Sequence, residues 1–160
     1  MMKRYVLFLS FLCFSSFSLF ASEKFVLILQ SYHQGYNWTD QVQQGITEGL
    51  KIKSNPVFID YRVEYMNSYD SQSANYYQEL ANLYIKKYSK KPDLIIAVDN
   101  NAVDFLKRFR NKIWGEVPVV FCGLNNFNEN SLEGIESISG IAEPTSIKET
   151  MEMVKNLHPL

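Results

Sequence analysis

Short, dense apolar runs alternate along this chain with longer stretches whose apolar residues recur every three or four positions. "KFVLILQ" (Lys24 to Gln30) is almost wholly apolar and rich in strand formers, the pattern of a parallel strand buried on both faces. Trp38, Val42, Ile46 and Leu50 then repeat every four residues, which predicts a helix from Trp38 to about Lys53. Asn37 suits its cap, and Asp40 stands close to the free amides of its first turn. Gly45 and Gly49 lie beside the stripe, where missing side chains would let the helix approach a sheet closely.

The alternation continues. "VFIDYRVEY" (Val57 to Tyr65) reads as a strand nearer a sheet edge, and Tyr77, Leu80, Ala81, Tyr84 and Tyr88 set a helix from about Ser71 to Tyr88. That helix ends in lysines and is stopped by Pro92. "LIIAV" (Leu94 to Val98) is the plainest core strand. Asn100 or Asn101 caps a third helix with Val103, Leu106 and Phe109 inward, and "VPVVFCG" (Val117 to Gly123) is the fourth strand. "SISGIA" (Ser137 to Ala142) gives a short fifth. A last helix opens on the capping-box pattern Ser146-x-x-Glu149, with Ile147, Met151 and Val154 predicted to face inward.

Strands separated by helices in this way imply an α/β fold with a doubly wound parallel sheet, because each parallel crossover needs a dozen or more residues and a helix supplies them. The expected strand order is 2-1-3-4-5. In such a sheet a ligand sits beyond the carboxyl ends of the strands, where the order reverses. Those ends are Ser31-Tyr32-His33, Asp99-Asn100-Asn101 and Cys122-Gly123-Leu124-Asn125-Asn126. The loop "SYHQGYNWTD" (Ser31 to Asp40) adds Tyr36 and Trp38 to this rim. Polar side chains that donate and accept, beside aromatics that cover apolar surface, are the mixture ligand pockets use. Two helix N-termini, near Trp38 and Asn101, point at the same rim and favour a carboxylate or other anion.

Each residue also has a structural reading. Trp38 has core spacing to Val42, Asn100 and Asn101 can serve as caps, Gly123 can simply permit a turn, and Cys122 ends a buried strand as a small core residue. His33 and His158 are the two histidines, far apart in sequence and without Cys or carboxylate at ligand spacing, so no metal or cofactor is expected.

The first 22 residues change the picture of where the chain works. Lys3 and Arg4, an uncharged apolar run from Tyr5 to Phe20, and small Ala21 and Ser22 form the three parts of a secretory signal, residues 1–21, cleaved after Ala21. The run is short for a membrane-spanning helix, which needs about 20 residues, so an uncleaved anchor is the weaker alternative. Beyond it the chain holds 14 basic and 17 acidic residues (16 − 2 = 14) and lacks a long basic block, which argues against a nucleic-acid partner. Only Cys122 remains after cleavage, so the expected periplasmic domain has no internal disulfide to lean on.

Three functions that share this architecture lack their residues here. A receiver domain needs an acidic pair after the first strand, where this chain has Gln30-Ser31. A dinucleotide site needs a glycine-rich turn, but Gly35 is the only glycine of "SYHQGYNW". A hydrolase of the nucleophile-elbow type needs G-x-S-x-G, which does not occur. Binding without chemistry is the expectation, with an exported enzyme using Cys122 or His33 as the alternative.

The strings "LILQSYHQGYNWTDQVQQGI", "EYMNSYDS", "DLIIAVDNNAVDFL", "VPVVFCGLNNF" and "ISGIAEPTSIKETMEMVKNLHP" resemble the first lobe of periplasmic substrate-binding proteins of the ABC-transporter type. They are most similar to the branch found as extracytoplasmic sensor regions of histidine kinases and diguanylate cyclases. The resemblance implies one lobe of a type I periplasmic-binding fold over residues 22–142. Residues 143–160 would then be the crossover and first helix of a second lobe, with the chain stopping before that lobe's first strand. It places Ser31, Tyr32, Trp38, Asp99, Asn100, Gly123 and Asn125 on the cleft wall and Glu143 at the hinge. Asn67 stands where the family often has an acidic residue. The implied ligand is a small polar solute of the amino-acid kind, and the implied partner is a membrane permease or a signalling kinase or cyclase module.

Overall fold

The computed structural model describes residues 23–53, 57–69, 73–144 and 146–158; the expected signal segment 1–21 lies outside them. The elements in chain order are β1 (Glu23–Gln30), α1 (Asn37–Lys53), β2 (Phe58–Tyr65), α2 (Ala74–Lys87), β3 (Leu94–Val98), α3 (Asn100–Ile113), β4 (Val119–Asn125), a short 3₁₀ turn (Glu129–Leu132), β5 (Ile138–Glu143) and α4 (Ile147–Leu157). The five strands form one sheet in the order β2-β1-β3-β4-β5, and every pair is parallel. The doubly wound architecture expected from the alternation is the architecture observed.

Central β1 is buried from Phe25 through Gln30, as its continuous apolar run requires. Its side chains divide by parity. Phe25, Leu27 and Leu29 join the larger core beneath α2 and α3, where Tyr77, Ala81, Tyr84, Val103, Phe105, Leu106 and Trp114 meet them. Val26 and Ile28 face the other way and receive the α1 stripe of Trp38, Val42, Ile46 and Leu50. The large core is fastened by aromatic contacts: Tyr84 stacks on Trp114 at 5.9 Å and meets Phe105 edge-on at 5.8 Å. At the end of the sheet away from the strand carboxyl termini, the buried Arg110 of α3 donates through Nη1 to Val117 O (3.1 Å) and Glu136 O (2.8 Å). With Nε donating to Asn111 Oδ1 at 3.3 Å, the buried cation is satisfied by two backbone carbonyls and one side-chain amide.

Several local expectations need correcting. Gly45 and Gly49 are exposed, and a methyl group at either would meet nothing within 4 Å, so they do not bring α1 closer to the sheet. Asn37 is already helical, and its side-chain oxygen accepts from Gln41 Nε2 at 3.2 Å. The fourth strand starts at Val119, two residues later than expected. Pro118, which precedes it, has no N–H to donate to a ladder, although its carbonyl accepts from Ile95 N. Ser146 precedes α4 without a side-chain cap bond. The apolar stripe of α4 is also not inward: Ile147 is 71% exposed, and Met151 and Val154 are exposed as well. Helical periodicity identifies an apolar face but does not supply a surface for it. Among the described residues that face meets none.

Candidate functional site

At the carboxyl ends of β1, β3 and β4 the chain turns sharply three times, and the turns brace one another. Ser31 follows β1 and is fully buried. Its hydroxyl donates to Val98 O at 2.6 Å and accepts from Ala102 N at 2.9 Å, so it binds β3 and the first turn of α3 to β1. Its carbonyl accepts from both N and Oγ of Ser68, and Asn101 Nδ2 donates to Ser68 Oγ at 2.9 Å. Ser31 and Asn101 are therefore braces behind the rim.

Asn100 is committed in the same way. Its Nδ2 donates to Asn125 O (3.2 Å) and its Oδ1 accepts from Asn125 N (2.9 Å), a reciprocal pair that fixes the end of β4 to the start of α3. Beside it, Gly123 is the extra residue in a bulge, since Cys122 pairs with Ile141 and Leu124 with Ala142. Its φ of +72° and lack of a side chain are both used, because an added Cβ would stand 2.8 Å from Trp38 Cζ2. Bulges commonly re-aim a strand end beside a site. Here the bulge makes room for the indole, which reaches from the smaller core to the rim. Trp38 thus packs with the smaller core and also borders the strand ends.

Asp99 is the most unusual residue of the rim. It caps α3 in place of Asn100 or Asn101, its Oδ1 accepting from Asn100 N. Its backbone lies at φ 72°, ψ 171°, a region adopted almost only by glycine and costly for other residues. The residue is 5% exposed. Burial raises its pKa above the ordinary carboxylate value and the nearby Glu143 charge adds to this, while bonds from Asn100 N and the Tyr32 hydroxyl oppose it. The ion pairs found, Lys24–Asp93, Arg62–Asp60, Lys87–Glu64 and Lys148–Glu152, leave Asp99, Asp40 and Glu143 without a cationic side chain among the described residues.

Over this carboxylate sits an aromatic group with Tyr32 at its centre. Tyr32 meets Tyr36 (5.5 Å), Trp38 (6.2 Å) and Tyr69 (6.1 Å), each edge-to-face, a favourable geometry for aromatic pairs. Burial, followed by the Asp99 charge and hydrogen bond, pushes the Tyr32 hydroxyl up to about 12, so it remains a donor at neutral pH. Tyr36 and Tyr69 lie 6.4 Å apart, and both are exposed on their outer sides, Tyr69 at 67%. His33 is exposed too. Its Nδ1 lies 3.0 Å from Gln34 O and its ring 6.0 Å from Tyr36, which places it at the margin. Tyr69 and Ser68 are missing from the sequence-derived site. The signal for them was present, since the loop after β2 borders the loop after β1 once the order 2-1-3 is assumed.

The geometry at the two helix N-termini works against the anion expectation. The first amides of α3 are taken by Asp99 and Ser31, and Asp40 in the first turn of α1 accepts from Gly35 N at 3.1 Å. The N-terminus of α3 is thus filled by the chain's own groups, and at α1 a carboxylate already stands in the first turn, holding the Gly35 amide that precedes the helix. Cys122, behind the rim, has its thiol pushed up to about 11 by burial and then by Asp99, which disfavours the thiolate a nucleophile requires. No group of three or more metal-ligating side chains occurs, and no helix is long and apolar enough to cross a membrane, among the described residues.

No protein-family model and no curated protein matches this chain. Its fold is similar to the crystal structure of a conserved domain protein from Vibrio cholerae, with a TM-score of 0.53 at 14% sequence identity. The match covers 87% of this chain and 44% of that one, so the chain spans less than half the length of its structural neighbour. The likeness shows the fold.

Proposed function

We propose that this chain is an extracytoplasmic lobe that binds a small polar solute at the strand-order reversal without transforming it, as the substrate-binding component of an ABC transporter. One observation carries the reading. The Tyr32, Tyr36 and Tyr69 cluster and the strained, buried Asp99 meet where a parallel sheet offers a crevice, and the neighbouring Ser31, Asn100 and Gly123 hold them there. The raised thiol of Cys122 and the marginal place of His33 count against the enzyme alternative. The bare stripe of α4 supports reading residues 143–160 as the passage into a second lobe, and Glu143 as lying on the hinge side.

A thermal-shift screen of small solutes on the full chain tests this. One lobe alone buries little of a ligand, so millimolar concentrations are appropriate. The expected result is a saturable rise in melting temperature that Tyr32→Ala and Tyr36→Ala abolish while the far-ultraviolet circular dichroism is retained. A screen without saturable hits, or hits indifferent to both substitutions, would refute it. Co-purification with a permease or with a membrane-bound kinase or cyclase then separates transport from sensing.

A further inference from the structure

The charge of the rim is lopsided. Its segments, residues 31–40, 65–69, 99–101, 122–127 and 143, contain Asp40, Asp99 and Glu143 but no lysine or arginine. Among the described residues the one deeply buried cation, Arg110, is at the C-terminal end of α3, away from the rim, and is spent on two backbone carbonyls and the Asn111 side chain. An unspent acceptor lies at the rim end of the sheet: Gln30 is fully buried as the last residue of β1, its Nε2 donates to Gln43 Oε1 at 2.9 Å, and its Oε1 has no partner among the described residues. A buried carboxylate beside a second negative charge is costly unless a positive charge completes it. Next to it, the Tyr36 and Tyr69 rings remain exposed around the half-buried Tyr32, and the faces of such rings attract cations.

We infer that the solute received by this rim carries a positively charged nitrogen, a primary or quaternary ammonium group. This nitrogen sits between the Asp99 carboxylate and the rings of Tyr32, Tyr36 and Tyr69, with Glu143 as the outer charge. The inference rests on the binding reading above and narrows it from polar solutes in general to organic cations. Chemically, a primary ammonium donates to Asp99, a quaternary one is held there by charge alone, and in either case the apolar substituents cover the tyrosines.

Calorimetric titration of the full chain with three molecules of similar size and the same ring tests the charge directly: tyramine, its neutral alcohol analogue tyrosol, and 4-hydroxyphenylacetate. Tyramine is expected to bind at least about ten-fold more tightly than tyrosol, and the carboxylate most weakly. Asp99→Asn, in a protein whose circular dichroism is unchanged, should bring tyramine down to the level of tyrosol. Glu143→Gln, an exposed change that spares the fold, should cost about three-fold at low salt and less as salt rises. Tetramethylammonium, run alongside, reports whether the aromatic faces accept a cation that cannot donate a hydrogen bond.

Equal or tighter binding of tyrosol or of the carboxylate overturns the inference, as does a tyramine preference that survives Asp99→Asn. Thermal-shift hits that are all neutral or anionic overturn it too, while leaving solute binding intact. A chain that binds neither these molecules nor anything in the screen loses both readings together.

Discussion

Replacing Gly123 by alanine should be among the most damaging one-carbon changes in this protein, and its cost divides into two parts. The first is conformational. At φ +72° a residue with a Cβ loses about 1–2 kcal/mol relative to its preferred regions. The second is steric. The new methyl would lie 2.8 Å from Trp38 Cζ2 and 3.0 Å from Cη2, well inside the roughly 3.5–4.0 Å at which carbon atoms rest. Trp38 cannot simply withdraw, because it is also packed with the α1 stripe against Val26, Ile28 and Val98; relief of such overpacking costs about 1–3 kcal/mol. The sum, about 2–5 kcal/mol, is a large share of the 5–15 kcal/mol that holds a domain folded. With a urea slope of about 2 kcal/mol per molar, the unfolding midpoint should fall by roughly 1–2.5 M. Trp38→Phe separates the two parts, since it removes the outer indole ring that the methyl strikes. In that background Gly123→Ala should retain only the conformational cost, giving a coupling energy of about 1–3 kcal/mol in a double-mutant cycle. A loss below about 1 kcal/mol, or the same loss in both backgrounds, would show that the indole and the bulge do not depend on each other.

Two further predictions concern the braces and the buried charge. Ser31→Ala strips the buried Ala102 N–H of its acceptor and should cost about 1–3 kcal/mol in urea unfolding; a cost within error of zero would show that the Ser31 hydroxyl does not tie α3 to the strands. Burial raises the pKa of Asp99 above its ordinary value of 3.8, so folding disfavours its charged form. That penalty is absent below the ordinary value, grows as pH rises towards the raised folded value, and is complete above it. Asp99→Asn should therefore stabilise the unliganded chain at pH 7 by about 1 kcal/mol, part of the cost of an uncompensated buried ion, and by nothing near pH 3. Thermal melts at both values check this, and a variant that is destabilised equally at both would contradict it.

The sheet was legible in the sequence because burial on both faces leaves an unbroken apolar run. "KFVLILQ" and "LIIAV" each announce a strand whose order follows from the crossovers. The rim segments were legible for the same reason, being whatever polar residues follow those runs. Within them, the roles were not. Whether Asn100 touches a ligand or locks β4 to α3 depends on a reciprocal pair with the Asn125 backbone, a contact set by the register between strands. The capping role went to Asp99 because its backbone adopts a conformation that propensities assign to glycine. Tyr69 was missed because a tyrosine after an edge strand carries no periodicity; its one signal, the adjacency of the loops after β2 and β1 in the order 2-1-3, becomes a contact in its meeting with Tyr32 and Tyr36. The α4 stripe was read correctly as apolar and wrongly as inward, since period 3.6 fixes a face and is silent about what lies opposite it.

The ends of β3 and β4 together bear on why an aspartate stands at position 99. The two strands are neighbours, Asp99 N donates to Cys122 O at 2.9 Å, and both chains pass into positive φ immediately afterwards, at Asp99 and at Gly123. At Gly123 the residue suits the backbone, and the space freed is filled by Trp38. At Asp99 it does not: glycine would relieve a strain of about 1–3 kcal/mol, against a cap bond worth about 1 kcal/mol. Asparagine would keep the cap oxygen and spare the buried charge. What aspartate alone adds at this position is a negative charge, placed against Tyr32 of the tyrosine cluster and near Glu143. The N-terminus of α3 offsets part of the cost of that charge, no cationic side chain pairs with it among the described residues, and the bound cation proposed above is the partner that fits.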